Sequence, residues 1–105
     1  MKREDFMFTV GFDGAVAVVD GESRRRYARS AVGDLLAAGL FRPAACAAVW
    51  DADEAAVREV VEAVNRASNG SLRSSEDLVR LFGIPMQVLK TEGGGGPHAV
   101  KVSVM

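Results

Sequence analysis

The chain has 105 residues, enough for one hydrophobic core but not two, so a single domain over 1–105 is expected. Thirteen basic against fourteen acidic residues leave a formal net charge of −1, which excludes a whole-molecule field that draws in nucleic acid or an anionic membrane. A lone cysteine, Cys46, excludes an internal disulfide; with no signal-like apolar run at the start and no membrane-length apolar stretch, a soluble protein of the reducing cytoplasm is expected.

The first elements are two β-rich runs, Phe8-Thr-Val-Gly-Phe12 and Ala15-Val-Ala-Val-Val19, flanking Asp13-Gly14. That dipeptide favours a type I′ turn, so the segment predicts a hairpin with Phe12 facing Ala15, Val10 facing Ala17 and Phe8 facing Val19. The other face sets Thr9 and Gly11 against Val18 and Val16 and is also fairly apolar. A pair apolar on both faces needs cover on both, from helices or from a second subunit.

Ser23 is a plausible N-cap, and Tyr27, Ala28, Ala31, Val32, Leu35 and Leu36 recur at helical spacing up to Gly39, which predicts one helix over roughly 24–38. Pro43-Ala-Ala-Cys-Ala-Ala-Val-Trp50 has two readings. Alanine is the best helix former and Pro43 suits a first helical turn, so a helix from Pro43 to Ser68 is one. A buried strand over 43–50 is the other, and it is preferred because Asp51-Ala-Asp-Glu54 looks like a fresh helix start. Such a strand would lie parallel to the second one through a right-handed crossover.

A helix over roughly 54–68 follows, with Val57, Val60, Val61 and Val64 on one face and Asn69-Gly70 as its stop. Ser74-Ser-Glu-Asp77 caps a short helix holding Leu78, Val79, Leu81 and Phe82, ended by Gly83 and Pro85. Met86–Thr91 and Ala99–Val104 read as two strands of a C-terminal hairpin, the last half-solvated with Lys101 guarding an edge. The expected fold class is therefore α/β (α+β): a mixed sheet of about five strands in the order ββαβααββ, with a hairpin at each end and helices packed on it.

Arginines crowd the stretch Glu22-Ser-Arg-Arg-Arg-Tyr-Ala-Arg29, at what reads as a helix start, where the dipole disfavours cations. Arg25 with Arg29, or Arg26 with Arg29, could clamp one phosphate or carboxylate, helped by free backbone amides. The plainer alternative is neutralisation by Asp20, Glu22, Glu4 or Asp5. Apart from Tyr27 no aromatic residue is interleaved with these cations, so a nucleic-acid surface is the weaker alternative.

Gly93-Gly-Gly-Gly-Pro-His98 offers Gly94 and Gly95 as a backbone nest and His98 as a titratable neighbour, but it has no Walker-type lysine and runs into a strand. By strand alternation His98 shares a face with Val100. Asp51 and Asp53 fall at the end of the expected strand, where open α/β sheets place ligands, although helix capping also accounts for them. The ligand-binding candidates are thus Arg25, Arg26, Arg29, Gly94, Gly95, His98 and Asp51.

With one cysteine and one histidine, no metal site and no cofactor are expected. The expected role is a binding or regulatory module for an anionic group, in a homo-oligomer such as a dimer. A small enzyme using Cys46 or His98 with an aspartate is the rival.

Overall fold

In a computed structural model, residues 1–89 and 96–105 are described, and they form two compact units, Met1–Arg29 with Pro85–Met105 and Ser30–Ile84. The first unit opens with α1, Arg3–Met7, a single turn the sequence reading missed. The Lys2 N–H donates to the Asp5 carboxylate at 2.8 Å, which stops the chain and turns it into the helix. Phe6 and Met7, fully buried, and Phe8, nearly so, anchor it.

The expected hairpin is present as β1, Thr9–Asp13, and β2, Val16–Val19, but its register differs. Asp13 pairs with Val16 and Phe12 with Ala17, so the two-residue loop is Gly14-Ala15 rather than Asp13-Gly14. Gly14 carries φ +61° and Ala15 is not among the positive-φ residues, the pattern of a II′ turn, whereas the I′ turn needs positive φ at both positions. An irregularity between Thr9 and Gly11 then absorbs one residue, Val10. Ala17 and Val19 are buried, while Val10 and Phe12 remain 63% and 41% exposed.

Among the described residues the sheet has three strands, in the order β1-β2-β3, with β3 at Val102–Val104. This overturns the five-stranded sheet and its ββαβααββ order. β3 runs parallel to β2, pairing Ala17 with Val102 and Val19 with Val104, so the parallel partner of β2 is the last strand and not 43–50. No C-terminal hairpin occurs among the described residues. Met86–Val88 is a 3-10 turn, with the Val88 N–H donating to Pro85 O at 3.1 Å, and Pro97–Ala99 is another. The part of the expected strand at Lys90 and Thr91 lies outside the described residues.

Helix one divides. α2, Gly21–Tyr27, closes the N-terminal part of the first unit, and α3, Val32–Ala37, opens the second. The apolar spacing continues through Ala28 to Ala31, but its two halves belong to different units: half-buried Tyr27 meets Phe8, ring centroids 6.1 Å apart, whereas Val32 and Leu35 enter the second core.

The second unit is helical. α4, Phe41–Asp51, takes the place of the expected strand at 43–50. Ala44, Ala45, Cys46, Ala47 and Ala48 are all fully buried, and a helix buried on every side has no amphipathic stripe to distinguish it from a strand. The inferred break before Glu54 is real but short. Ala52 turns left-handed at φ 50°, and the Asp53 carboxylate accepts from the Ala55 and Ala56 amides at 3.0 and 3.2 Å to start α5, Glu54–Ser68. α5 buries Val60, Val61 and Val64, and α6, Ser75–Phe82, buries Leu78. Arg42 closes α6 by donating to Phe82 O at 3.1 Å, and the Asn65 amide holds the intervening loop through two hydrogen bonds to Leu72.

In the first unit Gly21 backs directly onto the end of β3. A Cβ there would collide with the Met105 carbonyl oxygen and stand 2.7 Å from Val104 Cγ1. Gly21→Ala should therefore destabilise the protein by about 1–3 kcal/mol in urea melts, because backbone overlap outweighs alanine's better helix propensity. It should also speed exchange of the Met105 amide that donates to Val19 O. A neutral or stabilising effect would show that this contact is loose.

Candidate functional site

The arginine-rich segment is organised by Asp20, not Ser23. Its carboxylate caps α2, accepting from the Ser23 N–H at 3.3 Å and the Ser23 hydroxyl at 2.8 Å. These hydrogen bonds, the hydroxyl's first, hold the Asp20 carboxyl below its ordinary value of 3.8. The helix thus begins two residues before the predicted cap, and Arg24, Arg25 and Arg26 fall in its last turn. There the dipole attracts cations instead of repelling them, which removes the apparent conflict in the sequence. The free helix-start amides proposed to assist a clamp are not beside these side chains.

Arg24 is structural. Its Nε donates to Asp5 Oδ1 in a short contact, and its terminal nitrogen lies 3.9 Å from Glu4 Oε1. Asp5 is only 4% exposed, so this guanidinium compensates a nearly buried carboxylate and ties α2 to α1. The Thr9 hydroxyl donates to Asp5 O at 2.7 Å and fixes the start of β1 to the same turn.

Arg25, Arg26 and Arg29 are exposed, and among the described residues none of them is in an ion pair. α2 ends at Tyr27, so Arg29 lies beyond the helix and the spacings of four from Arg25 and three from Arg26 do not carry over into a shared helical face. The structure places the three in one short segment of the first unit without setting the two-arginine clamp through helix geometry.

His98 sits in the 3-10 turn Pro97–Ala99 and is exposed; strand alternation with Val100 does not apply to it. Its carbonyl and that of Val100 accept from the Met1 ammonium at 3.3 and 3.2 Å. Gly94 and Gly95 lie outside the described residues. Asp51 is the exposed last residue of α4 in the second unit, so the strand-end position that singled it out is not there. Cys46 is fully buried in α4, and burial pushes its thiol up to about 11 against a weaker opposing pull from Arg42. No group of three or more metal-ligating side chains occurs among the described residues, and none of their helices is long and apolar enough to cross a membrane.

Sequence reasoning read the last strand as half-solvated with Lys101 at an edge, but did not place that edge beside β2. Val104 and Met105 are 51% and 69% exposed on the last strand and its end. The signal was Lys101 as an edge residue, but which edge it guards depends on pairing that only the fold supplies.

No family model, no curated protein and no solved structure matches this chain.

Removing the Arg24 side chain leaves Asp5 buried and uncompensated. Arg24→Ala should cost on the order of 2 kcal/mol, between the values for exposed and buried ion pairs. Arg25→Ala should fall within about 0.5 kcal/mol of the parent, as an exposed surface change. Urea denaturation followed by circular dichroism checks both, and equal effects would refute the division between them.

Proposed function

We propose that the protein is a small binding module of the reducing cytoplasm that holds an anionic group of its ligand with Arg25, Arg26 and Arg29, and is not a catalyst. Three exposed guanidinium groups, in no ion pair among the described residues, carry this reading. Arginine presents a planar fork of donors that matches carboxylate and phosphate oxygens, so such a group needs little reorganisation to bind one. The buried Cys46 thiol argues against the Cys46 form of the enzymatic alternative. With its pKa at about 11, roughly one part in ten thousand is thiolate at pH 7.

The test is an amide-resolved NMR titration with inorganic phosphate, nucleotides, citrate and short oligonucleotides at low and high salt. Saturable shifts over residues 24–29 are expected, weakening as salt rises and lost when Arg25, Arg26 and Arg29 are all changed to Gln. No shift with any anion at low salt would refute the reading. A response to oligonucleotides alone, falling steeply with salt, would move it to nucleic acid.

A homodimer through the hairpin is a second reading, supported by the exposure of Val10 and Phe12 on β1. Light scattering should show a mass rising with concentration toward twice 11.1 kDa, and Phe12→Asp should abolish the rise. A constant monomer mass would remove it.

A further inference from the structure

We propose that the anionic ligand of the first unit is an extended acidic segment of another protein, added to the sheet as a fourth strand along β3. This rests on the reading of Arg25, Arg26 and Arg29 as an anion grip and adds the chemical class and posture of what they hold. The Ala17 N–H donates to Lys101 O at 2.9 Å, and the Met105 N–H donates to Val19 O at 3.0 Å. Lys101 and Met105 therefore direct their backbone groups toward β2. Backbone direction alternates along a strand, so Val102 and Val104 direct their N–H and C=O groups away from it. No hydrogen bond to these outward groups occurs among the described residues. Such a row is a ready template for another extended chain.

The opposite edge is less suited. β1 breaks register between Thr9 and Gly11, and a bulge of this kind interrupts the regular row of donors and acceptors that a new strand would need. Of the two edges, β3 presents the regular one.

Charge decides what kind of chain fits it. Exposed Lys101 stands where β3 begins. At the other end Gly21 abuts Val104, and Arg25 follows one helical turn later on the same face, about 6 Å along the axis. Arg26 and Arg29 lie close by in sequence. Exposed Lys101 and Arg25 stand toward opposite ends of the edge, with exposed Glu22 beside Gly21, while Val104 and Met105 leave apolar surface between them. An entering strand with carboxylates toward both ends and apolar side chains between them answers all three features. A second copy does not. Antiparallel pairing of two β3 strands about Ser103 sets Lys101 of one copy opposite Met105 of the other, at the end where Arg25 stands, and brings like charges together.

The probe is an acetylated and amidated peptide of alternating valine and threonine with aspartate at both ends, titrated into the full-length protein. Its controls are the same peptide with asparagine for aspartate, the same peptide N-methylated at alternate amides, and citrate. Saturable shifts are expected at residues 24–29 and 101–105, with exchange of the Val102 and Val104 amides slowed about tenfold or more. N-methylation should abolish binding, and asparagine should weaken it several-fold. Val104→Pro removes an outward N–H and should lose peptide binding while the bond from Met105 to Val19 persists.

If citrate and the N-methylated peptide shift residues 24–29 as strongly as the parent peptide, with Val102 and Val104 exchanging as before, strand addition is overturned and the anion grip stands. Silence toward both the parent peptide and citrate overturns the two together. Protection of Val102 and Val104 that grows with protein concentration and needs no peptide would assign the edge to a second copy and overturn the proposal.

Discussion

The parallel pairing of β2 with β3 is the constraint on which the first unit depends. That unit is made from two stretches far apart in sequence, Met1–Arg29 and Pro85–Met105, and the ladder from Ala17 to Lys101 and from Met105 to Val19 joins them. A hairpin alone is marginal in water, and a third strand with helical cover is what makes such a sheet persist. The same ladder makes β2 the central strand, which sets the buried positions Ala17 and Val19 and leaves β1 and β3 as edges. Glycine at position 21 lets the next helix start directly against the end of β3.

From that start, the charges of α2 sort themselves by geometry. Asp20 caps the helix and directs the arginines to its carbonyl end, where the dipole stabilises positive charge. Arg24 faces α1 and is taken up by Asp5 and Glu4; Arg25, Arg26 and Arg29 face solvent. One arginine therefore ties α2 to α1, and the other three are in no ion pair among the described residues. Among the described residues, Arg24 is the one of the four in an ion pair, with Asp5 and Glu4.

The second unit is organised by helix packing. Alanine side chains let α4 sit buried on all sides between its neighbours, and Cys46 occupies one of those positions. A thiol in that setting behaves as a small apolar group. Arg42, Asp53 and Asn65 serve helix ends and a loop, the ordinary use of polar side chains at these places.

The sequence by itself determined the features that arise from neighbours along the chain. The hairpin at residues 8–19, α5 over Glu54–Ser68 and the capped α6 were legible because turn chemistry, apolar spacing and capping act over a few residues. So was the basic cluster, as a set of residues. Most of the details that failed were decided by partners far away in sequence, and one, the hairpin register, by a local backbone choice. Whether 43–50 is strand or helix depends on what surrounds an apolar run with no polar face, and α4 is enclosed by helices. The hairpin register turned on which residue could hold positive φ, and Gly14 took the first loop position. The place of β3 beside β2 came from tertiary structure alone, because strand pairing across more than eighty residues leaves no local trace in composition or period.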